Sequence, residues 1–332
     1  MATIRWGIAG PGQAAEALAE DFRHTTGGEL VAVGSRSLGR AREFAGRHGI
    51  PNVHGSYSSL MSDPDVDLVY IATPTAQHRM LALAAIEAGK GILVEKSFTA
   101  TLEGAHEVVD AARARKVFAM EGMWTRYQPI IRRLHDLINE GTLGDVLNVQ
   151  GDLCAGRVFK AEDRLFDPVL GGGAMLDLGV YVLAFTRDVI DAMPTHITVR
   201  GNRYPNGVES DFGMLLGYGD GRCAALNCSL RFEGPGRMVV IGTRGWAEVL
   251  PRFHHPSTMV LHVNGAIPRT YELPATGRGY SHEIQAVNDA LHAGLLEQPL
   301  MPLQHTLDVQ AMMAEGFAQL RVTPVDDDTQ PA

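Results

Sequence analysis

Ile4-Arg5-Trp6-Gly7-Ile8-Ala9-Gly10-Pro11-Gly12-Gln13-Ala14-Ala15 is the stretch that decides how this chain folds. Its first six residues read as a short apolar strand, and the residues after Ala15 continue as a helical run through Leu18 and Phe22. Between them stands a G-x-G-x-x-A turn. Gly10 permits the tight reversal, Gly12 lets the backbone approach a pyrophosphate with no Cβ in the way, and Ala15 lets the helix pack close to the strand. The helix N-terminus, with Gln13 and Ala14 in its first turn, presents free N–H groups and a positive dipole to the phosphates. A lone Gly-rich turn is common in α/β proteins, but the flanking strand and helix here favour a dinucleotide-binding unit.

Outward from that turn, Leu30-Val31-Ala32-Val33 reads as a second buried strand closed by Gly34-Ser35-Arg36-Ser37. Its end lies where a dinucleotide fold reads the ribose. An NAD-specific site would place Asp or Glu there for the 2′-hydroxyl. Ser35, Arg36 and, four residues on, Arg40 instead suit a 2′-phosphate, so the expected cofactor is NADP, with NAD as the alternative. A third strand, Val66 to Ala72, runs into Thr73-Pro74 and a helix from His78 to Ala88. A fourth, Gly91 to Lys96, ends in the charged pair Glu95-Lys96, and a fifth spans Val117 to Met120 after a helix from Leu102 to Arg115. Five strands alternating with helices imply a doubly wound parallel sheet, whose ligands bind beyond the strands' carboxyl ends. Thr73, Glu95 and Lys96 are therefore expected at the cofactor crevice.

The pattern changes near Glu121 to Tyr127, which places a dinucleotide-binding domain at 1–121 and a second domain at 122–332. The second reads as a helix over Gln128 to Asn139, a strand from Gly144, and a Gly171-Gly172-Gly173 loop that introduces a helix over Ala174 to Thr186. A series of short strands from Phe212 to Leu273 follows, then two closing helices and a polar tail from Val325 that is expected to be mobile. This is an α+β domain around a mostly antiparallel sheet. Its helices can cover one face, and a second copy of the chain is the simplest cover for the other, which makes a homo-oligomer the expectation.

The 332 residues are 45% hydrophobic and 20% charged, with a formal net charge of −9. That balance describes a globular protein able to bury a core, and argues against a nucleic-acid partner. Three cysteines, Cys154, Cys223 and Cys228, without C-x-x-C spacing, suit a reducing compartment. No leader precedes the first strand and no uninterrupted apolar run suggests a bilayer span, so the expected location is cytoplasmic, with no membrane partner. His254-His255 and His282-Glu283 lack ligand spacing, so no metal site is expected.

Lys96 at a strand end, and Asp177 with Tyr181 four apart on one helix face, are the candidate chemical groups. Oxidising an alcohol removes the hydroxyl proton as hydride leaves carbon. A phenol is a poor base at neutral pH unless a cation favours phenolate. Lys96 could supply that charge, and Asp177 could hold a neighbouring substrate hydroxyl. Core packing of Tyr181 and simple solvation of Lys96 are the competing structural readings.

The opening turn, Ala72-Thr73-Pro74 with His78, and Val94-Glu95-Lys96 resemble the glucose-fructose oxidoreductase / inositol dehydrogenase / rhizopine-catabolism family over nearly the whole chain. Glu121-Gly122-Met123-Trp124-Thr125-Arg126, and Phe166 through Gly171-Gly172-Gly173 to Asp177 and Tyr181, resemble its dimeric dihydrodiol dehydrogenase and NADP-dependent D-xylose dehydrogenase branch. The resemblance implies that Lys96 contacts substrate, that Tyr181 is the acid/base, and that Pro74, His78, Trp124 and Arg126 lie at the cofactor. Ser97 stands where the family usually has proline, which frees φ and adds an N–H. Tyr181 stands where inositol dehydrogenase relatives carry histidine. The expectation is an NADP-dependent dehydrogenase for a sugar, cyclic polyol or dihydrodiol. Its rivals are an NADPH-dependent reductase of sugar ketones or aldehydes, and a nucleotide-sensing regulator without turnover.

Overall fold

The computed structural model describes residues 3–327. The opening stretch forms β1 (Ile4–Ala9), whose Trp6, Ile8 and Ala9 are fully buried, and α1 (Gln13–Asp21). There follow β2 (Gly28–Gly34), α2 (Leu38–His48), β3 (Asn52–His54), α3 (Tyr57–Met61), β4 (Leu68–Ile71), α4 (His78–Glu87), β5 (Gly91–Glu95), α5 (Leu102–Arg115) and β6 (Ala119–Gly122). The six strands pair in parallel in the order β3-β2-β1-β4-β5-β6. Strand order reverses between β1 and β4, so the glycine turn after β1 and Thr73 after β4 flank the topological switch point. The sixth strand, β3, is three half-buried residues without an apolar run, which is why periodicity does not reveal it.

A division after Met123 starts the second unit. Here α6 (Pro129–Asn139) opens with proline at its first position and buries Ile130, Ile131, Leu134 and Leu137. After β7 (Val146–Cys154), a π-helical turn (Met175–Gly179) leads into α7 (Val180–Ile190). The strands β8 (His196–Arg203), β9 (Glu209–Gly217), β10 (Cys223–Ser229), β11 (Met238–Gly242), β12 (Gly245–Val249), β13 (Thr258–Val263) and β14 (Arg269–Glu272) complete a sheet ordered β14-β13-β12-β11-β7-β10-β9-β8. All its pairings are antiparallel except β7 with β10. Phe212, Met214 and Leu216 point into the core, while Leu215 between them is 60% exposed on the other face. The stretch Pro168–Ile190, interrupted by Asp177, is long and apolar enough to cross a membrane by composition, and 78% of its apolar window is buried inside the fold.

The chain then returns to the first unit. Residues 276–307 and 325–327, which the sequence reading gives to the second domain, pack with the parallel sheet. Three backbone N–H groups, of Arg278, Tyr280 and Ser281, converge on the buried Asp21 carboxylate at the start of α8 (Ser281–His292). That carboxylate does the work of a helix cap from 260 residues away. Asn288 of α8 accepts the Trp6 indole N–H at 2.9 Å, and Leu303 and Leu307 of α9 (Leu303–Leu320) join the first unit's core. Asp308–Leu320 belongs to the second unit, where Asp308 takes the buried Arg187 guanidinium at 2.7 Å. Part of the tail expected to be mobile is tied down: Asp326 accepts from Ala100 N and Thr101 Oγ1, and Asp327 donates to Ala76. Residues 328–332 lie outside the described residues.

Candidate active site

The turn after β1 has the shape a nucleotide phosphate needs. Gly10 has φ +93, and a Cβ there would stand 2.8 Å from Thr73 Cγ2. Gly12 faces open space, the nearest atom to its missing Cβ being Ala72 O at 3.8 Å. As N-cap of α1 it offers no side-chain acceptor to the helix's first N–H groups. Thr73 Oγ1 is buried with no hydrogen-bond partner among the described residues. Unfilled donors and an orphaned hydroxyl around a glycine opening fit a pyrophosphate. At the end of β2, Ser35 is buried and accepts the Ser37 N–H, while Arg36 and Arg40 are exposed. Burial pushes the nearby Tyr57 phenol up; Arg36, which hydrogen-bonds it, and Arg40 pull the other way.

Lys96 follows β5 in a segment held by its backbone. The Glu95 carboxylate accepts the Lys96 N–H at 3.2 Å and the Tyr70 phenol at 2.5 Å, and Glu121 on the neighbouring β6 accepts the Phe98 N–H at 3.1 Å. The peptide between Lys96 and Ser97 is cis. Burial raises Glu95, with the Tyr70 bond and the Lys96 charge opposing it. His78, 1% exposed, puts Nδ1 on Ser97 O (2.9 Å) and Nε2 on Thr73 O (2.8 Å). Burial lowers its pKa, with the bonds to the Thr73 and Ser97 carbonyls opposing it. His78 thus ties the loop after β4 to the loop after β5, and Pro74 shapes the first of them by preceding a 3₁₀ turn at Thr75–Gln77.

In the second unit the Trp124 indole N–H donates to Tyr181 Oη at 3.0 Å. A donor on a phenol oxygen favours its ionised form. His255 stacks on Trp124 with ring centroids 4.9 Å apart, and His254 lies 5.2 Å from the Tyr181 ring. Thr125 Oγ1 fixes this histidine loop by donating to His254 O at 2.7 Å. Sequence spacing weighs these two histidines only as metal ligands and gives no sign of their place against the two aromatic rings. Their signal was an imidazole pair bounded by Pro251 and Pro256, and its meaning depended on a fold partner far away in sequence. Asp177, on the π-helical turn before Tyr181, is partly exposed and 4.0 Å from Arg164. Arg126 is 3% exposed, 3.3 Å from Asp188, and donates to Ala184 O. These contacts tie the Arg126 guanidinium to α7 within the second unit.

Beneath that turn lies Glu209, fully buried, with Oε1 accepting the Met175 N–H at 2.8 Å. Burial pushes its carboxyl from the ordinary 4.5 up to about 7. The folded state therefore binds this proton more tightly than the unfolded chain. The resulting stability is complete below pH 4.5 and is lost as pH rises through about 7. The difference is worth about 3 kcal/mol. Glu209→Gln should accordingly gain about that much on wild type between pH 4.5 and pH 8. Urea unfolding of both proteins at the two pH values measures it, and parallel stability curves would contradict it.

Residues 4–123 match a family described as oxidoreductase family, NAD-binding Rossmann fold, and residues 131–248 match the GFO/IDH/MocA C-terminal domain. The chain belongs to the GFO/IDH/MocA family of oxidoreductases, dehydrogenases and reductases that act on hydroxyl groups. Trans-1,2-dihydrobenzene-1,2-diol dehydrogenase of Bos taurus is 34% identical over 314 residues, 90% of this chain and 92% of that one. Among solved structures, aldose-aldose oxidoreductase from Caulobacter crescentus, complexed with glycerol, superimposes with a TM-score of 0.88 at 22% identity, covering 96% of this chain and 98% of that one. A 3-ketoreductase from Actinomadura kijaniata in complex with NADP gives 0.80 at 24% identity, covering 97% and 99%.

Proposed function

We propose that this protein is an NADP-dependent dehydrogenase that takes hydride from the CH–OH group of a sugar, cyclic polyol or dihydrodiol. The observation that carries the reading is the indole-to-phenol hydrogen bond between Trp124 and Tyr181, which orients Tyr181 Oη. The resemblance to dihydrodiol dehydrogenase supports the substrate class. When bound, the nicotinamide supplies the hydride acceptor. Tyr181 Oη takes the hydroxyl proton, the Lys96 ammonium supplies the charge that favours the ionised phenol, and Asp177 accepts a second hydroxyl that orients the reacting carbon. Gly10, Gly12, Gln13, Ala14 and Thr73 hold the phosphates. Arg36 and Arg40 hold the 2′-phosphate beside Ser35. The unpaired cysteines agree with a cytoplasmic location.

Absorbance of the reduced nicotinamide, followed with NADP and a panel of D-xylose, other aldoses, inositols and trans-1,2-dihydrobenzene-1,2-diol, tests the reading. Tight NADP binding without turnover in either direction would replace it with a nucleotide sensor. Oxidation of NADPH by sugar ketones alone would reverse the direction. Arg36→Ala should raise KM for NADP about 10- to 100-fold while leaving that for NAD unchanged, the loss of one charge-assisted phosphate contact. Equal effects on the two cofactors would remove Arg36 from the phosphate site. The sheet face bearing Leu215 and Trp246, with Val239, Ile241 and Val260 on the same side by strand alternation, is the proposed homo-oligomer surface. A sedimentation coefficient of a monomer would rule it out.

A further inference from the structure

We propose that Glu209 is the positioning residue for Tyr181: its carboxyl fixes where the helix carrying Asp177 and Tyr181 begins. The helix start is built around that carboxyl. Gly173 has φ +127, and a Cβ there would lie 2.1 Å from Glu209 Oε1 and 2.6 Å from its Cδ, so glycine at this position is a mould for the acid. Oε1 takes the Met175 N–H, and Oε2 is buried with no partner among the described residues. Two residues on, the Asp177 N–H reaches Gly173 O at 3.2 Å. The Val180 N–H reaches Met175 O, five residues back, which closes the π-helical turn. Tyr181 follows immediately. The groups acting on Glu209 are the Met175 N–H and its own backbone N–H; among the described residues no side-chain charge shifts it. One anchored N–H therefore sets the axial position of the turn, and a shift there moves Asp177 and Tyr181 together.

The link to Tyr181 can be read without any substrate, through the Trp124 indole N–H that Tyr181 accepts. The chain has three tryptophans, and the Trp124 resonance in a ¹H–¹⁵N spectrum is identified by its change in Tyr181→Phe. Glu209→Leu removes the acceptor, Glu209→Asp withdraws it by one methylene, and Glu209→Gln restores a neutral acceptor at full reach. The expected result is a displaced Trp124 resonance in the Leu and Asp variants, with the Trp6 and Trp246 resonances unmoved, and a wild-type position in the Gln variant. If Glu209→Leu fails to fold, Glu209→Asp answers the same question. A Trp124 resonance unchanged in the folded variants overturns the proposal.

Turnover separates this from the catalytic reading on which its consequence rests. With Tyr181 as acid/base, kcat falls about 10²-fold in Glu209→Leu and Glu209→Asp, the NADP Kd stays unchanged, and Glu209→Gln recovers kcat. A merely structural acid would not be rescued selectively in kcat. A displaced Trp124 with normal kcat would uphold the placement role and sink the assignment of Tyr181 to proton transfer.

Discussion

Tyr181→Phe should lower kcat for alcohol oxidation by about 10²- to 10⁴-fold, the usual contribution of a positioned general acid or base. The ring is 8% exposed and packs beside His254, so phenylalanine keeps the shape and loses only the oxygen. Affinity for NADP, which is proposed to bind at the first unit's glycine turn, should not change, and a fluorescence titration measures it. Rate and pH profile identical to wild type would leave Tyr181 a core residue with a polar tip. The Trp124 N–H would lose its acceptor in the same variant, so a small part of the loss belongs to that orphaned donor. Trp124→Phe, which removes the donor and keeps the phenol, should cost far less and raise the pH at which kcat reaches half its maximum.

Lys96→Ala should reduce turnover by about 10²- to 10³-fold, as removal of one preorganised charge at a reacting oxygen does. The structure explains why the loss can be confined to chemistry. The segment is held through its backbone, Lys96 N–H on Glu95 and Phe98 N–H on Glu121, and through His78 on Ser97 O. None of these bonds uses the lysine side chain; the NADP affinity of the alanine variant is expected to stay unchanged. Single-turnover mixing with bound NADP isolates the step, and added ethylamine should restore part of the rate. A variant with wild-type turnover would take the ammonium out of the proposed reaction.

How much of this was legible before the fold was known varies with distance along the chain. The first turn could be read because strand, glycines and helix lie within fifteen residues and each residue type answers to one local demand. Thr73 and Lys96 could be placed because parallel strands carry their ligands at one end. The strands β3 and β8 were not visible: the first is too short for a period, and β8 is exposed along most of its length. Glu209 was invisible for another reason. Glu209-Ser210-Asp211 reads as solvated surface, and only the approach of Gly173 from 36 residues earlier shows that the acid is enclosed. The Trp124–Tyr181 bond likewise joins residues 57 apart, and no spacing rule connects them.

The Asp21 carboxylate and the Trp6 indole take partners 257 to 282 residues later. On the ribosome, at about 5–20 residues per second, those partners arrive roughly 15 to 55 seconds after the first strand has emerged. During that interval the nascent parallel sheet lacks its closing helix, and an anionic group and an indole stand where water can reach them. Completion of the nucleotide-binding half is therefore a late event in biosynthesis, and a messenger truncated after the codon for Met123 should yield a client of chaperones rather than a working cofactor module.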